Sequence, residues 1–399
     1  MKIAVVGGGG REHAIIKKLK ENKSVEKDIE AITKFAVDNK IDYAVVAPDD
    51  PLVLGAVDSL ENAGIPCFGP RANAAIIEGS KIFSKNLMKK YNIPTAEYEV
   101  FDNAENAIKY LSDCKYPAVI KADGLALGKG VIIAQTKEEA VDAIHSMMED
   151  RVFGDSGTKV VVEEFLTGPE VSVLSFTDGN TVVPMVSSMD HKRAHDNDEG
   201  PNTGGMGTVA PNPYYTKEIA EECMEKIFLP TIKAMNDEGR TFKGCLYFGL
   251  MLTENGPKVI EYNCRFGDPE TQVVLPLLES NLLTVMQAVT NGTLAETEVK
   301  FSNGSACCVI LASKGYPVKY ESGYEIVLPK TDENEVIYVA GAKKDGEKLL
   351  SAGGRVLGVT ATAPTLEEAV KKAYELTDRV KFDNGFCRKD IGRRALMRK

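Results

Sequence analysis

The sequence predicts an α/β and α+β multidomain fold: an open parallel sheet at the N-terminus, a β-rich central unit and a smaller C-terminal α+β unit. Three observations lead there. At 399 residues the chain exceeds what a single core usually supports. Up to residue 70 it alternates short apolar runs with helical text, the rhythm of βαβ units. From about residue 118 the rhythm becomes paired strands joined by glycine loops, with single helices between them.

Taken in order, "KIAVV" (2–6) is a strand and runs into four glycines, then a helix from about Glu12. Helix N-termini attract anions, but the dinucleotide pattern G-x-G-x-x-G fails, because Glu12 or His13 stands where the last glycine is needed. The loop reads as a phosphate or backbone-contact turn. A helix over 28–39, a strand "YAVVAP" (43–48), a helix over 53–63 and a strand "IPCFGP" (65–70) follow. Between the first two helices only "KSVEK" intervenes, so a strand of the usual crossover pattern is missing after Lys27. Residues 71–94 read as helical. Strands at "PAVIKADG", "VIIAQ", "KVVVEEFL" and "EVSVLSF" enclose the helix "KEEAVDAIHSMMED". A polar glycine-rich loop (190–207), a helix over 216–238, two strands within 245–262 and one helix over 271–291 complete the centre. The last unit carries strands near 305–311, 337–341 and 354–362 and a helix over 366–380. The expected domains are 1–70, 71–302 and 303–399.

A formal net charge of -10 argues against nucleic acid as the main partner. The eight cysteines show no C-x-x-C spacing, which suits reduced thiols in a cytoplasmic protein. No apolar run approaches membrane-spanning length, and no membrane partner is expected.

Three segments carry chemistry. In "VIKADGLALGKGV" (119–131) Lys121 leaves a strand, and Gly124, Gly128, Lys129 and Gly130 form a loop whose N–H groups can close over a polyphosphate. It is not a Walker loop, since Gly130 follows Lys129 where a hydroxyl is required. In "VVVEEFLTGPEVSV" (160–173) a strand carries Glu163 and Glu164, breaks, and restarts at Glu170. Such a broken edge can hydrogen-bond an adenine, with Glu170 accepting from ribose hydroxyls. In "KVIEYNCRFGDPETQ" (258–272) Glu261 and Asn263 share one strand face, a pair suited to Mg²⁺, and Arg265 can clamp a transferring phosphoryl group.

These segments together form the pattern of the ATP-grasp ligases. With "GGGGREHA", "FGP", "EGSKIFSK", "DHKRAHDNDEGPNTGGMG", "GGRVLGV" and "FCRKDIG" in this order, nearly the whole chain resembles the phosphoribosylamine–glycine ligases, or glycinamide ribonucleotide synthetases. The resemblance implies an ATP-grasp fold with a mobile β-rich lid over about 96–166. It implies ATP and Mg²⁺ (or Mn²⁺) as cofactors, glycine and 5-phosphoribosylamine as substrates, and a monomer or weak homodimer. It gives Lys81 and Lys121 the ATP phosphates, with 124–130 as the phosphate loop. Glu163 and Leu166 fall at the adenine edge, Glu170 at the ribose, and Glu261 and Asn263 at the metal. Arg265, Asp268 and Glu270 fall near the reacting carboxylate. Substrate contacts fall on Gly9, Gly10 and Arg11 and on Asp190, His191, Lys192 and Arg193. Further ones fall on Asn202, Thr203, Gly204, Gly205 and Met206 of the closing loop, and on Arg388 and Lys389.

The chain departs from the family pattern in about two dozen residues absent after Lys27, judged against the ~30 of a full βαβ unit. Gly8 and "APDDP" (47–51) are smaller departures. Two other readings stay open on the residues: an ATP-grasp ligase for another small carboxylate, and a nucleotide-binding homologue without catalysis.

Overall fold

β1 (Ile3–Val6) and β2 (Tyr43–Val46) are nearly all apolar because strands of a parallel sheet are covered on both faces. The computed structural model, which describes residues 1–19, 28–125 and 130–398, places α1 (Gly10–Leu19) and α2 (Ile29–Asp38) between them. Asp28 caps α2 by accepting from the Ala31 N–H. The junction at Lys27, where a strand is missing from the sequence pattern, lies outside the described residues. α4 (Ala56–Asn62) occupies the span of the helix expected over 53–63, and α3 (Asp49–Val53) precedes it where none was expected. Gly55, at φ +89°, breaks them apart. β3 (Cys67–Phe68) completes a parallel sheet in the order β1-β2-β3.

α5 (Ala72–Gly79) and α6 (Lys81–Lys90) lead into the β-rich unit. β4 (Tyr98–Phe101), α7 (Ala104–Leu111), β5 (Ala118–Ala122), β6 (Val131–Ala134), α8 (Lys137–Ile144) and β7 (Val160–Glu164) follow. The strands form an antiparallel sheet, β4-β7-β5-β6, covered by the two helices. Leu111, Ile120, Ile144, Met147, Val160 and Val162 give this unit a core of its own.

β8 (Glu170–Thr177), β9 (Val182–Pro184), β10 (Met189–Asp190), β11 (Arg193–His195), β12 (Glu199–Asn202) and β13 (Gly207–Ala210) come next. The polar stretch expected to be a loop therefore holds a hairpin, β11-β12, invisible to periodicity because no residue of β12 is apolar enough to alternate. α9 (Lys217–Cys223) and α10 (Leu229–Asp237) are joined by a helical turn at 224–228. β14 (Gly244–Thr253) and β15 (Gly256–Asn263) pair antiparallel, and the central sheet runs β15-β14-β8-β9. The single helix expected over 271–291 is α11 (Thr271–Val274) and α12 (Leu282–Asn291), parted by a tight turn at Pro276, which has no N–H to continue the ladder. The parallel sheet and this central sheet share two cores, in which Val6, Ile32, Phe248 and Tyr262, and Phe68, Phe176 and Phe266, come together.

The C-terminal unit adds β16 (Ser305–Ser313), β17 (Glu325–Ile326), β18 (Glu335–Val339), β19 (Ala342–Asp345), β20 (Lys348–Ser351), β21 (Arg355–Ala363), α13 (Leu366–Arg379), β22 (Gly385–Phe386) and α14 (Arg393–Leu396). Its main sheet, β10-β13-β16-β21-β18, takes in the two strands that flank the β11-β12 hairpin. The loop that the resemblance gives to the substrates is thereby built into the C-terminal sheet.

Candidate active site

Strand period 2 turns Glu261 and Asn263, the end of β15, onto one face. Arg265 donates from Nη2 to Asn263 Oδ1 at 3.0 Å and forms an ion pair with Glu78 Oε1 at 2.9 Å. Glu78, from α5, also accepts the Cys264 N–H at 2.7 Å. Burial raises the Glu78 carboxyl above its ordinary range, against the pull of Arg265. The Nε–H of Arg265 is buried with no partner, a donor left unspent. Burial would also raise the Glu261 carboxyl, but Lys192, Lys121, Lys81 and Arg265 outweigh it and hold the group ionised. Cations from four separate segments thus converge on one carboxylate.

Two lysines reach this point from the expected directions. Lys81, at the start of α6, donates to the Gly124 carbonyl at 3.0 Å. Burial lowers its ammonium, with Glu261 opposing. Asp123 holds the same helix end, accepting from Ser80 Oγ and from the Ile82 N–H. Lys121, on β5, donates to the Ile260 carbonyl at 3.0 Å and lies 3.0 Å from Glu163 Oε1. A Cβ on Gly124 would stand 2.4 Å from Ser156 Oγ, so the loop needs glycine there. The Gly130 carbonyl closes the β5-β6 hairpin through the Ala122 N–H. Gly128 and Lys129 lie outside the described residues.

The adenine-edge candidates divide. Residues 165–169 leave the ladder between β7 and β8, as a broken edge requires, and Leu166 is half-buried there. The Glu163 carboxylate, however, faces Lys121 and Lys85, and Glu164 is held by Lys258 at 2.8 Å, so neither side chain is turned to a base. Glu170 lies 3.4 Å from Lys192.

Around Glu270 the structure assembles a buried polar network. Tyr247 OH donates to Glu270 Oε1 at 3.2 Å and is 2.7 Å from Ser172 Oγ. Burial raises the Glu270 carboxyl, and burial followed by Glu270 raises Asp190 well above the carboxylate range. Glycines make the room: a Cβ on Gly205 would come within 2.7 Å of Asp190 Oδ1, and one on Gly267 within 2.4 Å of Glu270 Oε2. Asp268 instead joins three units. It accepts the Arg11 N–H at 3.3 Å and Gln272 Nε2 at 2.8 Å, and pairs with Arg355 of β21 at 3.4 Å. Arg355 also donates to the carbonyls of Gly204 and Asp268.

Several of the expected substrate contacts have partners within the protein. The Gly9 N–H is taken by Glu12 Oε2 at 2.6 Å, and Arg11 pairs with Glu12 and donates to the Phe266 carbonyl. The glycine loop is closed by its own carboxylate, with Gly10 packed toward Gln272. His191 is 2 % exposed. Its Nδ1 bonds the Gly207 carbonyl and its Nε2 accepts the Gly392 N–H. Met206 lies in the core. Arg388 is buried and saturated by Asp198, Asp390 and the Arg193 carbonyl, and the Lys389 N–H goes to Asp196. Arg193 donates to the Gly200 carbonyl, Thr203 Oγ1 to the Lys192 carbonyl, and Asn202 stays exposed on β12. Sequence reasoning missed Lys85, Glu78, Ser172, Tyr247 and Arg355. Each lies on an element far along the chain from the group it touches.

Among the described residues no three His, Cys, Asp or Glu side chains form a metal cluster. Two oxygens on one strand face fit a hard cation that takes the rest of its shell from water and phosphate, and Glu261, kept ionised by its cations, is such a donor.

Three family models match the chain: the N domain of phosphoribosylglycinamide synthetase over residues 22–78, its ATP-grasp (A) domain over 79–271 and its C domain over 306–394. A phosphoribosylamine–glycine ligase of Caldanaerobacter subterraneus is 46% identical over 414 positions, covering 98% of this chain and 99% of the relative. That span exceeds the 399 residues of the chain, so the relative carries residues that this chain lacks. The Escherichia coli K12 ligase of the same name is 43% identical, covering 100% of the chain and 99% of the relative. The crystal structure of the Thermotoga maritima ligase superposes with a TM-score of 0.87 at 33% identity, over 98% of this chain and 100% of that one. A biotin carboxylase domain from Hydrogenobacter thermophilus, solved with MgADP and bicarbonate, shares the fold at a TM-score of 0.77 and 17% identity, over 96% and 91%.

Proposed function

The chain belongs to the phosphoribosylamine–glycine ligase family, and we propose that it joins glycine to 5-phosphoribosylamine with ATP, giving glycinamide ribonucleotide, ADP and phosphate. The observation that carries this reading is the convergence of Lys81, Lys121, Lys192 and Arg265 on Glu261.

A carboxylate is a poor electrophile, because its charge is delocalised and its leaving group would be oxide. Transfer of the ATP γ-phosphoryl group to glycine gives glycyl phosphate. The amine of phosphoribosylamine then attacks the acyl carbon, a C–N bond forms, the C–O bond breaks and phosphate leaves. Lys81 and Lys121 hold the phosphates, and the free Nε–H of Arg265 meets charge that develops on the transferring group. Glu261 and Asn263 hold Mg²⁺, which supplies neutralisation of phosphate charge when bound. The edge over 163–166 takes adenine through its backbone, and Glu170 takes ribose. Asp190 and Lys192, of the 190–207 segment, and Glu270 face the glycine and amine side. Arg265, Asp268 and Glu270 keep their place beside the reacting carboxylate, Asp268 by fixing the frame. The β4-β7-β5-β6 sheet acts as a lid that keeps water from glycyl phosphate. The domains of this reading are 1–70, 71–302 and 303–399, and the residues that the relatives carry in excess belong after Lys27. A cytoplasmic location and a monomer or weak homodimer belong to the same reading. Among the described residues no helix is long and apolar enough to cross a membrane.

The test is ADP release by the purified chain with Mg-ATP, adding glycine and fresh phosphoribosylamine singly and together. Release that needs both supports the ligase. Release driven by a different acid and amine would make it an ATP-grasp ligase of other specificity. Tight ATP binding without release under any combination would overturn catalysis and point to the junction after Lys27.

A further inference from the structure

Lys85 is 2 % exposed and has no part in the chemistry above. Its Nζ lies 2.9 Å from Glu163 Oε2 and donates to Thr95 Oγ1 at 2.8 Å. Thr95 passes a bond of 2.7 Å to the Val259 carbonyl of β15. The other carboxylate oxygen, Glu163 Oε1, is the one 3.0 Å from Lys121. One buried carboxylate therefore stands between two ammonium groups, one from α6 and one from β5, and both lysines also lean on the backbone of the strand that carries Glu261 and Asn263. Both ammonium groups meet Glu163 as ion pairs, while their aligned hydrogen bonds go elsewhere, that of Lys85 to Thr95 Oγ1 and that of Lys121 to the Ile260 carbonyl. What separates them is their second neighbour: the charge of Lys121 also acts on Glu261, whereas Lys85 is anchored away from it on Thr95. Lys121 is therefore the partner placed to turn toward a phosphate.

A buried carboxylate that loses its cation is strongly disfavoured. Drawing Lys121 onto a phosphate would create that state if Lys121 were the sole partner of Glu163. We propose that Lys85 is a positioning residue for nucleotide binding: a fixed counter-charge that keeps Glu163 neutralised while Lys121 is handed from Glu163 to the ATP phosphates. The inference rests on the nucleotide half of the ligase reading, that Lys121 meets phosphate. It accounts for a second buried lysine where one would satisfy the carboxylate.

The titration of the cluster agrees. Lys85 faces Glu163 and Glu164 on β7, Lys121 on β5 and the Tyr98 ring on β4, while Lys258 of β15 is spent on Glu164. Burial, only partly offset by Glu163, brings the Lys85 ammonium down to about 8. Above that pH Lys85 loses its charge, Lys121 becomes the remaining cation of Glu163, and ATP affinity falls.

The experiment is a double-mutant cycle on the full chain, reading the Kd of Mg-ATP by calorimetry, with folding checked by circular dichroism. Lys85→Met in the wild-type background is expected to weaken binding about 10-fold or more, and in a Glu163→Gln background by less than about 3-fold, because the charge it balances is gone. The wild-type loss of affinity between about pH 7.5 and 9 should be absent in Lys85→Met. A folded Lys85→Met with unchanged Kd, or an equal loss in both backgrounds, overturns the proposal. If Lys85→Met alone does not fold, the Glu163→Gln single and the double variant decide: a difference below about 3-fold supports it, a larger one overturns it. A wild type that binds Mg-ATP but ligates nothing sinks the ligase reading and leaves this one standing. A wild type that binds no Mg-ATP overturns both.

Discussion

At the scale of single residues, Lys121 is the group with the most to lose. It reaches the Glu261 cluster from β5 with an aligned bond to Ile260, so its ammonium is placed close to where phosphate arrives, with the Glu163 contact the one to be exchanged. Lys121→Ala is expected to lower kcat/KM by an amount equal to about 2–4 kcal/mol of transition-state stabilisation. Steady-state kinetics with all three substrates reads it, and an unchanged kcat/KM removes Lys121 from the phosphate site. Arg388 makes the opposite case, a residue already held by partners within the protein. Its guanidinium is 1 % exposed and paired with Asp198 and Asp390. Arg388→Ala should cost about 2–3 kcal/mol of stability by leaving Asp390 without its cation and Asp198 with Arg394 alone. Denaturant unfolding measures that, and a loss below about 0.5 kcal/mol would return Arg388 to the list of ligand contacts.

At the scale of elements, what the sequence discloses depends on whether a segment carries its own period. Helix α13 has an amphipathic face and a Thr365 cap, and its observed span, Leu366–Arg379, falls within a residue of the expected one. Strand β15 presents Glu261 and Asn263 together because period 2 is local information. The hairpin β11-β12 carries none. It is set by its place between β10 and β13, which pair with each other, β13 in turn pairing with β16 about a hundred residues further on. The site divides the same way. Lys121, Glu261, Asn263 and Arg265 are candidates read from glycine loops and strand faces, and Lys81 is one that only the resemblance offers. Glu78, which pairs with Arg265 across the fold, and Tyr247, which donates to Glu270, are not. The break between β7 and β8 gives an element-level prediction. Gly168 sits there at φ +145°, and an added Cβ would stand 2.1 Å from the Leu252 carbonyl oxygen. Gly168→Ala must displace the edge expected to meet adenine. A loss of about 1–3 kcal/mol in stability is expected, together with a raised KM for ATP. Thermal unfolding and ATP titration check it, and a variant with wild-type values for both would show that the break tolerates a side chain.

At the scale of the whole molecule, the three units are joined by polar contacts as well as by shared cores, and one of these contacts titrates. His191, just after β10, holds the Gly207 carbonyl with its Nδ1–H and accepts the Gly392 N–H at Nε2, tying the C-terminal turn to the central segment. The Gly392 bond needs the neutral ring, because a protonated Nε2 cannot accept it. Burial, and next the nearby Arg388, push the imidazolium down to about 4 from an ordinary value of 6.5. The sign follows from proton uptake. Between those values the unfolded chain binds a proton that the folded protein refuses, so stability rises with pH across the window and is lost as pH falls through it. A difference of this size corresponds to about 3 kcal/mol between pH 6.5 and 4. The neighbouring Asp390 does not blur the window. Burial would raise it, but Arg388 and the Asn197 N–H bring it to about 2, so it stays ionised throughout. Urea unfolding at a series of pH values should show a fall in stability from about pH 6.5 toward 4, and His191→Gln should lack that share of the slope while being less stable at neutral pH. An identical slope in the variant would assign the acid sensitivity to the buried carboxylates instead, and the C-terminal turn would then be held by packing alone.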